Sequence, residues 1–107
     1  MPELVVFAVA TPKPEHVEKF LELISAHAAF VKENEPDTLR YNVHKQVTDG
    51  KVQVVVLETY KNKAALEAHG ANPKFQAMKK EIAEQGLLAE PLHIVPTVPH
   101  AGFESRL

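Results

Sequence analysis

The sequence contains no cysteine, which removes disulfide bridges, thiolate metal sites and cysteine nucleophiles together. That absence suits a reducing, cytoplasmic setting. Four glycines are spread over 107 residues, and none stands in a phosphate-cradling loop or a dinucleotide-binding fingerprint. Ser25 and Ser105 have no nucleophile motif around them. Charge of one sign is missing too: 12 Lys and Arg oppose 14 Asp and Glu, and the net charge of -2 is dispersed along the chain. Without a basic patch there is no electrostatic footprint for DNA or RNA. The apolar run "LVVFAVA" is far too short to cross a bilayer, and it follows Glu3 instead of a basic segment. It reads as a strand, neither a membrane span nor a signal peptide.

What is present has the profile of a single domain over 1–107: 45% of residues are hydrophobic and 24% charged, and the chain is too short for two cores. Leu4 to Ala10 predicts a buried strand, ended by "TPKPE". Pro14 suits a first helical turn, and Val17, Phe20, Leu21, Ile24, Ala28 and Val31 recur at helical steps up to Glu35–Pro36, where proline stops the helix. In "TLRYNVHKQV" alternation predicts Leu39, Tyr41 and Val43 on one face, with Arg40, Asn42 and His44 on the other. Asp49–Gly50 supplies a hairpin turn and "VQVVVLETY" returns. Asn62 can cap a short helix through "KAALEAH", the chain turns away at Gly70, and Pro73 opens a further helical piece with Phe75, Met78 and Ile82 on one side. "PLHIVPTV" predicts a last strand whose Pro91 and Pro96 favour its ends or a sheet edge.

Strand, helix, strand, strand, broken helix, strand is the α+β, ferredoxin-like βαββαβ order, with the helices on one sheet face. The other face needs cover, because Val5, Phe7 and Val9 alternate with residues that are also apolar. A homodimer packed sheet to sheet satisfies it, with the tail from about 97–107 docking on the partner through Val98, Phe103 and Leu107.

"EPDTLRYNVHK" followed by "VVVLETYKNKAALEAHGANPKF" resembles the signature of the antibiotic biosynthesis monooxygenase family, small dimeric α+β barrels. The family pattern runs Glu-(Pro/Glu)-Gly-Cys-x-x-Tyr, Glu-x-Trp, Ala-x-x-x-His and Pro-His-Phe. This chain departs from it where Asp37-Thr38 replaces Gly-Cys, Tyr60 the tryptophan and Lys74 the second histidine. The resemblance implies a pocket between helices and sheet, and oxygenation of quinol or polyketide substrates by O₂ without metal or flavin. It also spans isomerases, cyclases, haem degraders and members without activity, so a non-catalytic binding or stress-related dimer is the competing class. The haem branch characteristically has a first-strand asparagine and a last-helix histidine, and this chain has neither.

Within that frame His69 is the expected general base. Deprotonation matters because a phenolate passes an electron to O₂ far more readily than a phenol, and imidazole is suited to take that proton at neutral pH. The plain alternative is a histidine partnering a helix C-terminus. His27 lies at the margin of the buried stripe, three residues after Ile24 and four before Val31, and Tyr41 offers a hydroxyl from a strand face. Both are catalytic candidates, and both can be plain core residues. Glu58, Tyr60, Phe75, Phe20 and Ile24 are the expected substrate contacts. Glu58 either orients a histidine or sits at a solvated strand end, and Phe75 is also readable as core. No cofactor and no metal are expected, since no two histidines stand at His-x-His or His-x-x-x-His spacing. The expected partners are a second copy of the chain, a small aromatic substrate and O₂.

Overall fold

A computed structural model describes residues 3–48 and 50–107. The elements follow as β1 (Leu4–Ala10), a 3₁₀ turn at Pro14–His16, α1 (Val17–Asn34), β2 (Thr38–Thr48), β3 (Lys51–Tyr60), α2 (Lys63–Ala71), α3 (Pro73–Glu84) and β4 (His93–Thr97). The four strands form one antiparallel sheet in the order β2-β3-β1-β4. This is the α+β, ferredoxin-like arrangement. β1 is central because its residues are apolar on both sides. β4 is an edge strand, the place in a sheet that tolerates a proline, and Pro96 stands there opposite Val6.

Register sorts the side chains into two faces. Val6, Ala10, Val54, Val56, Glu58 and Tyr60 are buried, and the pairs Tyr41↔Glu58, Val43↔Val56 and Ile94↔Ala8 extend that face across all four strands. It is the face covered by α1, α2 and α3. Phe20 and Ile24 of α1 complete a core with Ala10, Val54 and Val56, and Met78 and Ile82 of α3 pack on it. A second small cluster joins Val6 and Tyr60 to Ala65 of α2. Burying each such valine or isoleucine contributes roughly 1.5–3 kcal/mol.

On the opposite face lie Val5, Phe7, Val9, Val55, Leu57 and Val95 by the same register. Phe7 is 38% and Val95 37% exposed. Asn42 and His44 of β2 stand opposite Leu57 and Val55 on this side, as alternation predicts. Leu39 departs from expectation. The β2–β3 register shifts between Thr38 and Arg40, so Leu39 leaves the face of Tyr41 and Val43 and is half exposed; an irregularity of this kind re-aims the side chain beside it.

The break in the second helical region falls later than Gly70. α2 runs through the glycine to Ala71, and Asn72 holds an extended backbone (φ -64, ψ 130) ahead of Pro73, the conformation that proline imposes on its predecessor. Asn72 ends α2 by donating its backbone N–H to the His69 carbonyl and starts α3 by accepting from the Lys74 N–H at 2.9 Å. Asn62 caps α2 as expected, accepting from Ala65 N–H at 2.9 Å. Gly50 takes φ +75 at the β2–β3 turn, as a tight hairpin requires; its turn partner Asp49 lies outside the described residues. No described helix is long and apolar enough to cross a membrane.

Candidate active site

Where α1 ends, Glu35 turns inward. It lies eight residues after His27 on the stripe that carries Ile24 and Val31, and Pro36 forces the chain out of the helix immediately afterwards. Thr38, at the start of β2, donates its hydroxyl to Glu35 Oε1 at 2.9 Å. The same oxygen lies 2.7 Å from His69 Nδ1, in the last turn of α2. A carboxylate only accepts, so in the neutral ring this pairing places the proton on Nδ1 and the lone pair on Nε2. His69 is 4% exposed, and the Glu35 side chain 11%.

Aromatic rings enclose this pair. Phe75 (4.8 Å between centroids), Tyr60 (5.4 Å), Tyr41 (5.6 Å) and His27 (5.6 Å) all surround the His69 ring. His27 in turn touches Phe30, Tyr41 and Phe75. Desolvation lowers the His27 pKa, and neighbouring His69 adds to the effect while Glu35 opposes it; His27 is therefore held neutral. Its Nε2 has no hydrogen-bond partner among the described residues, nor does Glu35 Oε2.

A cavity of about 650 Å³ opens between the helices and the sheet. Its wall is overwhelmingly apolar, from Val6, Ala8, Phe20, Ile24, Val56, Phe75, Met78 and Ile82 among others, and Tyr41, Glu58 and His69 contribute polar atoms from its inner side. Exposed Lys79 and Glu90 stand at the rim, Glu90 engaged with Lys51 at 3.0 Å. His69 also lines a second cavity of about 330 Å³ with Glu35, Asp37 and Asn62. The imidazole thus stands in a wall between an apolar chamber and a polar cleft.

Of the residues expected to contact substrate, Phe20, Ile24, Phe75 and Glu58 line the large cavity, as do the catalytic candidates Tyr41 and His69. Tyr60 does not. It is fully buried, and its hydroxyl donates to Glu58 Oε1 at 2.5 Å. His27 sits behind the wall, against His69. Glu58 is 7% exposed, which disposes of a solvated strand end, and among the described residues its side chain bonds Tyr60 and not a histidine. Burial raises the Glu58 pKa, with the Tyr60 hydrogen bond and His69 pulling the other way and Glu35 adding to the rise. Desolvation, then the charge of Glu58, raises both Tyr41 and Tyr60 above the ordinary phenol value, so both remain hydroxyl donors. The residue that orients His69 is Glu35, which sequence reasoning treated only as a helix stop. The helical stripe His27, Val31, Glu35 puts Glu35 on the buried side of α1, although nothing in that stripe points to His69.

The model of the antibiotic biosynthesis monooxygenase family matches residues 4–81. No curated protein sequence matches the chain. Among solved structures, a candidate antibiotic biosynthesis monooxygenase from Caulobacter crescentus CB15 is similar at 28% identity, with a TM-score of 0.83 over 94% of this chain and 92% of its own. A Mycobacterium tuberculosis protein aligns at 22% identity and a TM-score of 0.83 over 95% and 99% of the two chains. One from Pseudomonas aeruginosa does so at 24% and 0.81 over 94% and 97%. The last two share the fold.

Proposed function

Because this chain belongs to the antibiotic biosynthesis monooxygenase family, we propose that it is a monooxygenase that oxidises a small aromatic, quinol or polyketide-like substrate with O₂ and without a bound cofactor. The observation that carries the reading is the Glu35–His69 pair set into the wall of an apolar cavity. An apolar chamber of this size favours a fused-ring molecule over a sugar or a charged metabolite.

His69 Nε2 takes the proton of a phenol or an acidic ring methylene, while Glu35 holds the ring tautomer and stabilises the imidazolium that forms. Tyr41, kept protonated, donates to the developing oxyanion. The substrate anion gives one electron to O₂, and the resulting pair combines to a carbon-bound peroxide that recovers a proton. Loss of the second C–H proton and cleavage of the O–O bond then form C=O and release water. For a methylene the sum is CH₂ + O₂ → C=O + H₂O, so the substrate supplies every electron. The dry wall protects the anion from solvent protons.

A second reading, isomerisation or cyclisation by proton transfer, is favoured by one observation. Glu58, whose carboxyl is pushed toward its protonated form by burial, lines the same cavity as the imidazole of His69, and enolisation needs a proton donor and a proton acceptor in one site. The working unit in either case is a homodimer, a single domain per chain, joined through the apolar outer sheet face and with the 97–107 tail docked on the partner. Oxygen uptake across a panel of hydroquinones and anthrones, with His69→Ala as control, tests the oxygenase reading. Uptake on at least one substrate, lost in the variant, is expected; isomerised product without uptake moves the assignment to the second reading.

A further inference from the structure

His27, Glu35 and His69 each present a ligating atom, and these atoms lie within 4.8 Å of one another. Two of the three residues carry a buried atom that bonds to nothing else described: His27 Nε2 and Glu35 Oε2. His27 is 5% exposed. Buried polar atoms without partners are rare and mark a missing ligand or an ordered water. Here the two orphans belong to one cluster and are the atom types that bind metals, a neutral imidazole nitrogen and a carboxylate oxygen.

We infer that His27, Glu35 and His69 form a binding site for one divalent transition-metal ion, zinc in the first instance, where the end of α1 meets α2. Two imidazoles and one carboxylate form a recognised zinc set with a fourth position left for water. Zinc bonds of ~2.0–2.2 Å need donors about 3–3.5 Å apart, so side-chain shifts of under about an ångström complete the geometry. Thr38, bonded to Glu35 Oε1, orients the carboxylate from behind, as outer partners of metal ligands do. The polar cleft that Glu35 and His69 share supplies an entry path. Binding through His69 Nδ1 moves that nitrogen's proton to Nε2, which then carries N–H in place of the lone pair that the oxygenase reading requires. The site therefore goes beyond that reading and acts as an inhibitory site on it, not as its cofactor site.

Cobalt(II) is the probe. EDTA-treated protein titrated with Co²⁺ should develop visible d–d bands that saturate at one equivalent per chain and vanish when Zn²⁺ is added. Zn²⁺ should also raise the midpoint of thermal unfolding, because the ion clips two helices that separate on unfolding. His27→Gln and Glu35→Gln, each checked for folding by circular dichroism, should lose about 10-fold or more in Co²⁺ affinity, whereas His100→Gln in the exposed tail should not. Wild-type protein without d–d bands overturns the site whatever the variants do, as do bands that survive both substitutions. Oxygen uptake separates the two readings: Zn²⁺ should suppress it and EDTA should not. Uptake that EDTA abolishes and iron(II) restores would keep the site and overturn metal-free oxygenation. Absent bands with normal uptake would do the reverse.

Discussion

The two faces of the sheet break the rule of burial in opposite directions. Beneath the helices, a face that could have been entirely apolar carries Tyr41, Glu58 and Tyr60 against Glu35, His27 and His69. On the outer face, where polar residues would keep a monomer soluble, Phe7, Val9, Leu57 and Val95 stand instead. Each departure costs stability or solubility in an isolated chain. Proteins that conflict with local rules in this way usually do so at functional sites. On the proposed reading, the inner face sacrifices stability for chemistry, and the outer face sacrifices solubility for a partner.

The sharpest way to break the comparison is at His69. His69→Gln keeps the size of the side chain and an amide able to donate to Glu35, but it cannot take a proton at neutral pH. It should fold and bind ligand while losing roughly 10²-fold or more in turnover. A variant that unfolds early yet keeps its specific activity would make the inner polar cluster purely structural. On the outer face, Phe7→Asp places a charge at the centre of the proposed interface, and dimerisation should weaken by about 10²-fold. Sedimentation showing an unchanged dimer would move the contact elsewhere, and a wild-type chain that is a stable monomer at micromolar concentration would remove it altogether.

These two faces were not equally legible in the sequence. The outer face follows from β1 and β3 being apolar at almost every successive position, a signal that needs no partner to be read. The helices followed from Pro14, Asn62 and Pro73, residues whose backbone chemistry acts within a turn. Two features depend on effects between neighbours: the register shift that exposes Leu39, and the helix break, which falls at Asn72–Pro73 and not at Gly70 because glycine is the weaker breaker. The inner cluster was harder. His69 was identifiable only through its family-like spacing, and its partner Glu35 stands 34 positions away, a separation no local pattern can connect. Histidine spacing does not reveal the metal-capable group for the same reason: its members come from the middle of α1, its C-terminal cap and α2.

The tail sharpens the outer-face half of the comparison. Val98, Phe103 and Leu107 are 56%, 73% and 116% exposed, and the tail's described ion pair to the body is a 3.8 Å contact between Arg40 and Glu104, both too exposed to contribute much. If the tail lies on the partner, deleting Pro99 to Leu107 removes apolar burial only in the dimer. The unfolding midpoint should fall by a few degrees and depend more strongly on protein concentration. An unchanged midpoint at every concentration would show that the tail covers nothing.

The smallest effect tests whether the inner face truly trades stability for chemistry. Burial raises the Glu58 pKa above its unfolded value, so between those two values the folded chain binds more protons than the unfolded one. The slope of unfolding free energy with pH has the sign of protons bound by the unfolded state minus those bound by the folded state. Here it is negative. The contribution of Glu58 is fullest below the ordinary glutamate pKa near ~4.3 and is lost as pH rises through the elevated one. Glu58→Gln is neutral throughout and still accepts the Tyr60 hydroxyl, so its stability should lack this decline. The variant's advantage over wild type should therefore grow as pH is raised from about 4 and then level off, while its turnover falls if Glu58 serves the reaction. Thermal unfolding of both proteins across that range decides it. Parallel curves would mean that Glu58 is as comfortable charged as neutral, and the acid–base pairing behind the isomerase reading would lose its footing.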